Sequence, residues 1–166
     1  MKRLALVLLG ATALAGLLPG CGGDPRSYAL QIDTEEQFIG GAAALGELGD
    51  FLLYNDQIRV VINGRSTSPG FGLWGGSILD VDLVRGSDEF GGEGNDQFGE
   101  SFPLVNFVTS QPDVDAGQIS IVADGSDGGA AIVRVEGDRA RYLYLLRLLG
   151  DMLNSDADAF RIRTDY

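Results

Sequence analysis

The strongest constraint on this chain is a period of two in its apolar residues. Phe51-Leu52-Leu53-Tyr54 is a short apolar run and Asn55-Asp56 supplies turn chemistry. Ile58, Val60 and Ile62 then alternate with Arg59, Val61 and Asn63. Two such runs across a turn predict a β-hairpin. The pattern recurs at Ser77–Val84, where Leu79, Val81 and Leu83 are expected on one face and Asp80 and Asp82 on the other. Gln118–Ala123 and Ala130–Glu136 flank Asp124-Gly125-Ser126-Asp127-Gly128-Gly129, which predicts a second hairpin. Phe102–Val108 is a further apolar segment, ended by Ser110-Gln111-Pro112. Arg141–Leu153 is rich enough in leucine for a helix, yet Tyr142, Tyr144, Leu146 and Leu148 alternate, which favours a strand. Ala159–Tyr166 alternates again and the chain stops inside the pattern, which fits either a final strand or a sequence cut short. The expected fold is mainly β: an antiparallel sheet or sandwich-like domain built from hairpins over residues 49–166, which is either closed by that strand or incomplete at its C-terminal end.

The N-terminus has a different character. Lys2 and Arg3 precede an apolar run, Leu4–Leu18, made only of Leu, Ala, Val, Gly and Thr. That is the length of a signal-peptide core and short for a membrane-spanning helix. Leu18-Pro19-Gly20-Cys21 follows. It resembles the bacterial lipobox, in which an aliphatic residue stands three places before a cysteine and a small residue just before it. Pro19 departs from the commonest form. The resemblance implies cleavage between Gly20 and Cys21, removal of residues 1–20 as a signal helix, and a diacylglycerol with palmitate-type chains on Cys21. One acyl chain holds a protein only reversibly, whereas two or three make a durable tether. Gly22 stands where Asp marks inner-membrane retention in enteric bacteria, so the resemblance favours the outer membrane. Residues 21–48 are expected as the lipidated cysteine and a flexible tether.

Missing residue types exclude much chemistry. The chain has no histidine, one cysteine and one lysine, Lys2, which leaves with the signal. Zinc sites of the usual kind, Ser-His-Asp and Cys-His nucleophiles and Schiff-base lysines are therefore ruled out. With Cys21 lipidated, no internal disulfide can form. The expectation is a protein that is not an enzyme, with no catalytic residue, no cofactor and no metal site. Without Lys2 and Arg3 the balance is 10 basic against 24 acidic residues, a net charge of −14. Such a surface repels nucleic acid, so the partners expected are the membrane, through the lipid on Cys21, and an unidentified protein or glycan.

The candidates for further chemistry are acidic or glycine-rich. Asp80 and Asp82 share a strand face, roughly 6–7 Å apart by strand rise. That separation is compatible with a glycosidase pair, although solvated Asp on an open face is commoner. The segment Arg85–Phe102 carries Asp88, Glu89, Glu93, Asp96 and Glu100 but lacks calcium-loop spacing. Weak Ca²⁺ binding is the only ligand these carboxylates suggest, and a solvated loop is the simpler expectation. Asp124 and Asp127 fit turn roles better than cation ligation. Gly70, Gly72 and Gly75 match G-x-G-x-x-G, but Ser-Pro precedes them and a strand pattern follows, so the match is accidental. Phe71 and Trp74 in that loop are expected as anchors rather than as a sugar platform.

Three stretches carry a family likeness: Gly49–Val61 (GDFLLYNDQIRVV), Gly75–Arg85 (GGSILDVDLVR) and Asp124–Val135 (DGSDGGAAIVRV). Together they resemble the N-terminal β-rich module of large secreted proteins of myxobacteria and their relatives, which often precedes a metallohydrolase of the polymerase-and-histidinol-phosphatase type. The resemblance implies a structural module and carries over no catalytic residue. Two functions follow as expectations: a non-catalytic cell-envelope lipoprotein with a surface-exposed binding or scaffolding domain, or an accessory domain of a larger secreted metallohydrolase.

Metabolic labelling with palmitate is expected to mark the wild-type chain, and Cys21→Ala is expected to abolish the label. Label retained by the variant would remove the lipobox assignment.

Overall fold

Phe51-Leu52-Leu53-Tyr54 is apolar on both faces of the strand it forms, so that strand needs cover on two sides. The computed structural model supplies both. It describes residues 26–72, 74–85, 92–105, 108–111, 118–137, 139–142, 148, 151–152 and 160–166. Nine strands are present among them: β1 (Tyr28–Gln31), β2 (Phe51–Tyr54), β3 (Ile58–Ile62), β4 (Ile78–Leu83), β5 (Val108–Gln111), β6 (Ile119–Asp124), β7 (Ala131–Glu136), β8 (Arg139–Tyr142) and β9 (Arg163–Asp165). They form three antiparallel sheets, ordered β1-β2-β3-β4, β6-β7-β9 and β5-β8, and none closes into a barrel. The fold is mainly β, as the alternation predicts.

Both predicted hairpins are present. Phe51 pairs with Ile62 and Tyr54 with Arg59. The turn is held by Asn55, whose Oδ1 accepts the N–H groups of Gln57 and Ile58, each at 2.8 Å. This side-chain mimicry of a backbone turn is what Asn offers at such a site. In the second hairpin Ile119 pairs with Val135 and Asp124 with Ala131. Asp124 and Asp127 each cap the turn through a backbone N–H two residues on, Ser126 and Gly129.

The four-stranded sheet packs one face on the β6-β7-β9 sheet. Ala29, Phe51 and Ile62 meet Ala131, Val133 and Val135, with Leu53, Val60, Ile119, Ile121 and Tyr166 around them. The opposite face buries Ile32, Ile39, Leu52, Val61 and Leu79 under the segment between β1 and β2, which adds Phe38 and Leu45. A flexible tether through residue 48 therefore does not hold from Tyr28 on. Residues 28–31 are the edge strand β1, Glu35–Gln37 is a short 3₁₀ turn, and Ile32 and Ile39 are core. The sparse apolar content of this stretch hid its role, because two isoleucines suffice to pin it.

Two other expectations shift. Strand β5 begins at Val108, at the end of the apolar segment Phe102–Val108 rather than within it. Arg141–Leu153 is not one strand: β8 ends at Tyr142, while Leu148, Asp151 and Met152 are helical. The intervening residues lie outside the described set, as do Gly20 and Cys21.

Gly76 shows how tightly the layers close. Its φ is +82°, and a Cβ there would collide with the Val135 side chain. Only glycine accepts both the conformation and the approach. The Tyr166 hydroxyl donates to the Gly76 carbonyl at 2.8 Å, and burial pushes its pKa to about 12. Tyr166 thus ties β9 to the loop that enters β4.

Truncating a side chain in the doubly covered sheet should be costly. Leu52→Ala is expected to destabilise by about 2–5 kcal/mol, while Val122→Ala on the exposed face of β6 should cost under about 0.5 kcal/mol. Urea unfolding monitored by tryptophan fluorescence compares the two.

Candidate functional site

Strand β4 inverts the usual logic of an alternating strand. Val61 opposes Asp80 but Ile62 opposes Ile78, so Leu79 is an extra residue in the ladder. Such a bulge re-aims side chains. Leu79 joins the core on the face away from the second sheet, and Asp80 shares that face through its partner Val61. The expected solvated aspartates are in fact buried, Asp80 at 1% exposure and Asp82 at 5%, while Leu83 is exposed. The reason lies in what covers them. Two glycine-rich loops, residues 40–48 and 92–98, lie over this face and bring backbone N–H groups that no sheet ladder satisfies.

Each buried carboxylate answers such groups. Asp80 accepts Leu45 N–H at 2.7 Å on Oδ1 and Gly46 N–H at 3.0 Å on Oδ2. Asp50, at the start of β2, accepts Glu47 N–H and Gly64 N–H, each at 2.9 Å. Asp96 accepts Val81 N–H at 3.1 Å and Phe98 N–H at 3.0 Å on one oxygen. It thereby fills part of the open edge of β4. Asp82 accepts Asn95 N–H at 2.8 Å.

Arginines supply part of the counter-charge. Arg59, the residue opposite Asp82 in the β3–β4 ladder, is itself buried and reaches Asp82 at 3.4 Å. Arg85 meets the same carboxylate from the exposed side. Arg65 bridges Glu47 at 2.8 Å and Asp50 at 3.2 Å. For Asp82, burial opposes ionisation, but the hydrogen bonds from Arg85, Asn95 and Leu83 outweigh it and lower its pKa. For Asp50 and Asp80, burial dominates the hydrogen bonds and raises the pKa.

A second anchor sits beside this cluster. The Glu100 carboxylate accepts the Ser68 hydroxyl, Gly72 N–H and, at 2.6 Å, the Ser77 hydroxyl. Next to it, Ser101 pairs with Ile78 along the edge of β4. Glu100 thereby fixes the loop of residues 64–77, whose G-x-G-x-x-G leads straight into β4 and not into a helix. The fixed loop carries Phe71, 71% exposed, with its ring stacked on Phe102 at 6.5 Å. Leu104 and Val105, also exposed, continue the apolar surface along the chain. Trp74 is half-buried, closer to an anchor than Phe71 is.

Asp96 and Glu100 are therefore internal ties of the acidic segment, while Asp88 and Glu89 lie outside the described residues. Among the described residues, no group of three or more acidic side chains is placed to hold a metal ion, and no helix is long and apolar enough to cross a membrane. Asp50, Arg59 and Arg65 escaped the sequence analysis. The usable signal was the antiparallel pairing of β3 with β4, which sets Arg59 opposite the second aspartate of β4. No family model matches this chain, and no curated protein or solved structure matches it either.

Hydrogen bonds from Gly72, Ser68, Ser77 and Phe71 outweigh the burial of Glu100 and hold its pKa below the ordinary 4.5. A depressed carboxylate stabilises the fold above its unfolded pKa and loses that contribution as pH falls through its folded value. Glu100→Gln should therefore cost about 1–3 kcal/mol at neutral pH. The difference from wild type should shrink below about pH 4, as followed by urea denaturation across pH.

Proposed function

We propose that this chain is a non-catalytic cell-envelope lipoprotein, held at the outer membrane through lipid on Cys21, with a β-rich domain that binds or scaffolds a partner. The observation that carries this reading is the division of labour at the loop end of the four-stranded sheet. The carboxylates of Asp50, Asp80 and Asp96 are buried under loops and accept backbone N–H groups. The outward feature of loop 64–77 and of residues 102–105 is apolar: Phe71 stacked on Phe102, with Leu104 and Val105 exposed. Aromatic and aliphatic side chains presented on a pinned loop suit recognition, because little conformational freedom is lost on contact. Weak Ca²⁺ binding keeps a minor place in the proposal, through exposed carboxylates such as Asp33, Glu36 and Glu93.

The second reading is an accessory domain of a larger secreted metallohydrolase. One observation favours it. The three stretches that carry the family likeness fall on β2–β3, on β4 and on the β6–β7 turn, the elements that build the two packed sheets.

A photo-crosslinking side chain at position 71, in cells of a Gram-negative host, is expected to give a discrete adduct with an envelope component. The same group at position 122, on the outer face of β6, should give none. Equal or absent adducts at both positions would remove the binding-surface reading. Recovery of Cys21→Ala in the membrane fraction would remove the anchor.

A further inference from the structure

Strand β9 ends the order β6-β7-β9, so one side of it has no neighbouring strand among the described residues. Its hydrogen bonds to β7 show which groups that side carries. Tyr166 and Val133 exchange both N–H···O bonds, and Gly137 N–H donates to the Ile162 carbonyl. An antiparallel ladder alternates hydrogen-bonded and non-hydrogen-bonded pairs. Val135–Thr164 is therefore the bonded pair between them, whereas Arg134–Asp165 and Glu136–Arg163 are not. The N–H and C=O groups of Arg163 and Asp165 point away from β7, and no partner meets them among the described residues. Both side chains are open to solvent, Arg163 at 56% and Asp165 at 34%.

The edge of β4 is handled differently. There Ser101 bridges Ile78, and the Asp96 carboxylate accepts Val81 N–H. β9 has no such plug from within. Charges blunt a free edge by repelling a second copy, but those of β9 attract one that runs antiparallel. With a two-fold axis at Thr164, Arg163 stands opposite the second copy's Asp165, and Asp165 opposite its Arg163. The directions of their N–H and C=O groups make both of these hydrogen-bonded pairs. On the outer face, each row across the join reads Arg134, Asp165, then the second copy's Arg163 and Glu136. The sign alternates along the row. Arg134 already holds Asp165 at 2.7 and 2.8 Å, and Glu136 already faces Arg163 across the ladder. Thr164 meets its own copy at a non-hydrogen-bonded site, where side chains approach closest. An axis at residue 163 or 165 would instead set like charges against each other, so the charges select one register.

We infer that β9 is a self-association edge: two copies of this chain pair there, antiparallel about Thr164, and join their β6-β7-β9 sheets into one. The contact is the same patch on both copies, so it closes on itself as a dimer. The acidic surfaces of two copies repel at long range, but that repulsion is screened beyond about 8 Å at physiological salt. The alternating rows act at contact. Neither Cys21 nor Phe71 takes part.

Cys21→Ala leaves the chain without a thiol, and Thr164→Cys in that background places one at the axis. Oxidation of this full chain in detergent is expected to give a disulfide-linked dimer, whereas Ser120→Cys on the exposed face of β6 should give none. Sedimentation of the Cys21→Ala chain at about 0.1 mM should show a dimer, a concentration suited to a small interface. Arg163→Glu opposes carboxylates in both rows and should weaken the dimer about tenfold or more. Arg26→Glu, the same charge change on an exposed arginine elsewhere, should leave it unaltered. A monomer throughout would overturn the inference. So would a dimer that tolerates Arg163→Glu as well as Arg26→Glu, or equal cross-linking of the Thr164→Cys and Ser120→Cys chains.

Discussion

A buried carboxylate oxygen accepting a loop N–H is the interaction on which this structure depends. The four-stranded sheet is apolar on both faces, but only one face meets another sheet. The other is covered by irregular chain, and irregular chain brings unpaired N–H groups that cannot be buried alone. Aspartates at 50, 80, 82 and 96 resolve this by turning inward. A carboxylate accepts several hydrogen bonds at once, so a few side chains organise two loops. The cost is buried negative charge, which Arg59, Arg65 and Arg85 offset only in part.

This arrangement gives the acidic composition a second meaning. An excess of Asp and Glu reads as a solvated, repellent surface. Here several of those residues are interior fittings: Asp50, Asp80, Asp82 and Asp96 are buried, and Glu100 is tied to three donors. The glycines complement them. Gly46 lets loop backbone approach the Asp80 carboxylate and Gly41 lets it approach the Asp96 backbone, which a side chain would prevent. Acid and glycine content together thus describe one device, a loop lid fastened from below.

The two hairpins were legible because turn chemistry and alternation agree there, as at Asn55 and Asp124–Gly129. The inward polarity of β4 was not. Alternation states that Asp80 and Asp82 share a face, and says nothing about which face is covered. The bulge at Leu79 breaks the period locally, and a single sequence offers no sign of it. β1 was missed because Tyr28–Gln31 is short and its cover comes from residues far along the chain. Arg59 escaped notice for a related reason: a charge on a strand gives no sign of burial until its partner across the ladder is known. The residues that resemble a lipobox lie outside the described set.

Several ties in this fold span long stretches of chain. Leu45 and Gly46 reach Asp80 across 35 and 34 positions. Ser27 caps Ala131 N–H across 104, and Tyr166 meets Gly76 across 90. Topologies of this kind fold slowly, because closure entropy is met before the contacts reward it. The edge strand β1 emerges first of the strands during synthesis and waits for the β6–β7 hairpin, made about 90 residues later. Until then little of the sandwich can set. Delayed closure leaves the apolar faces of β1–β4 without their cover, and their strand edges open to misassociation, until the second sheet is in place.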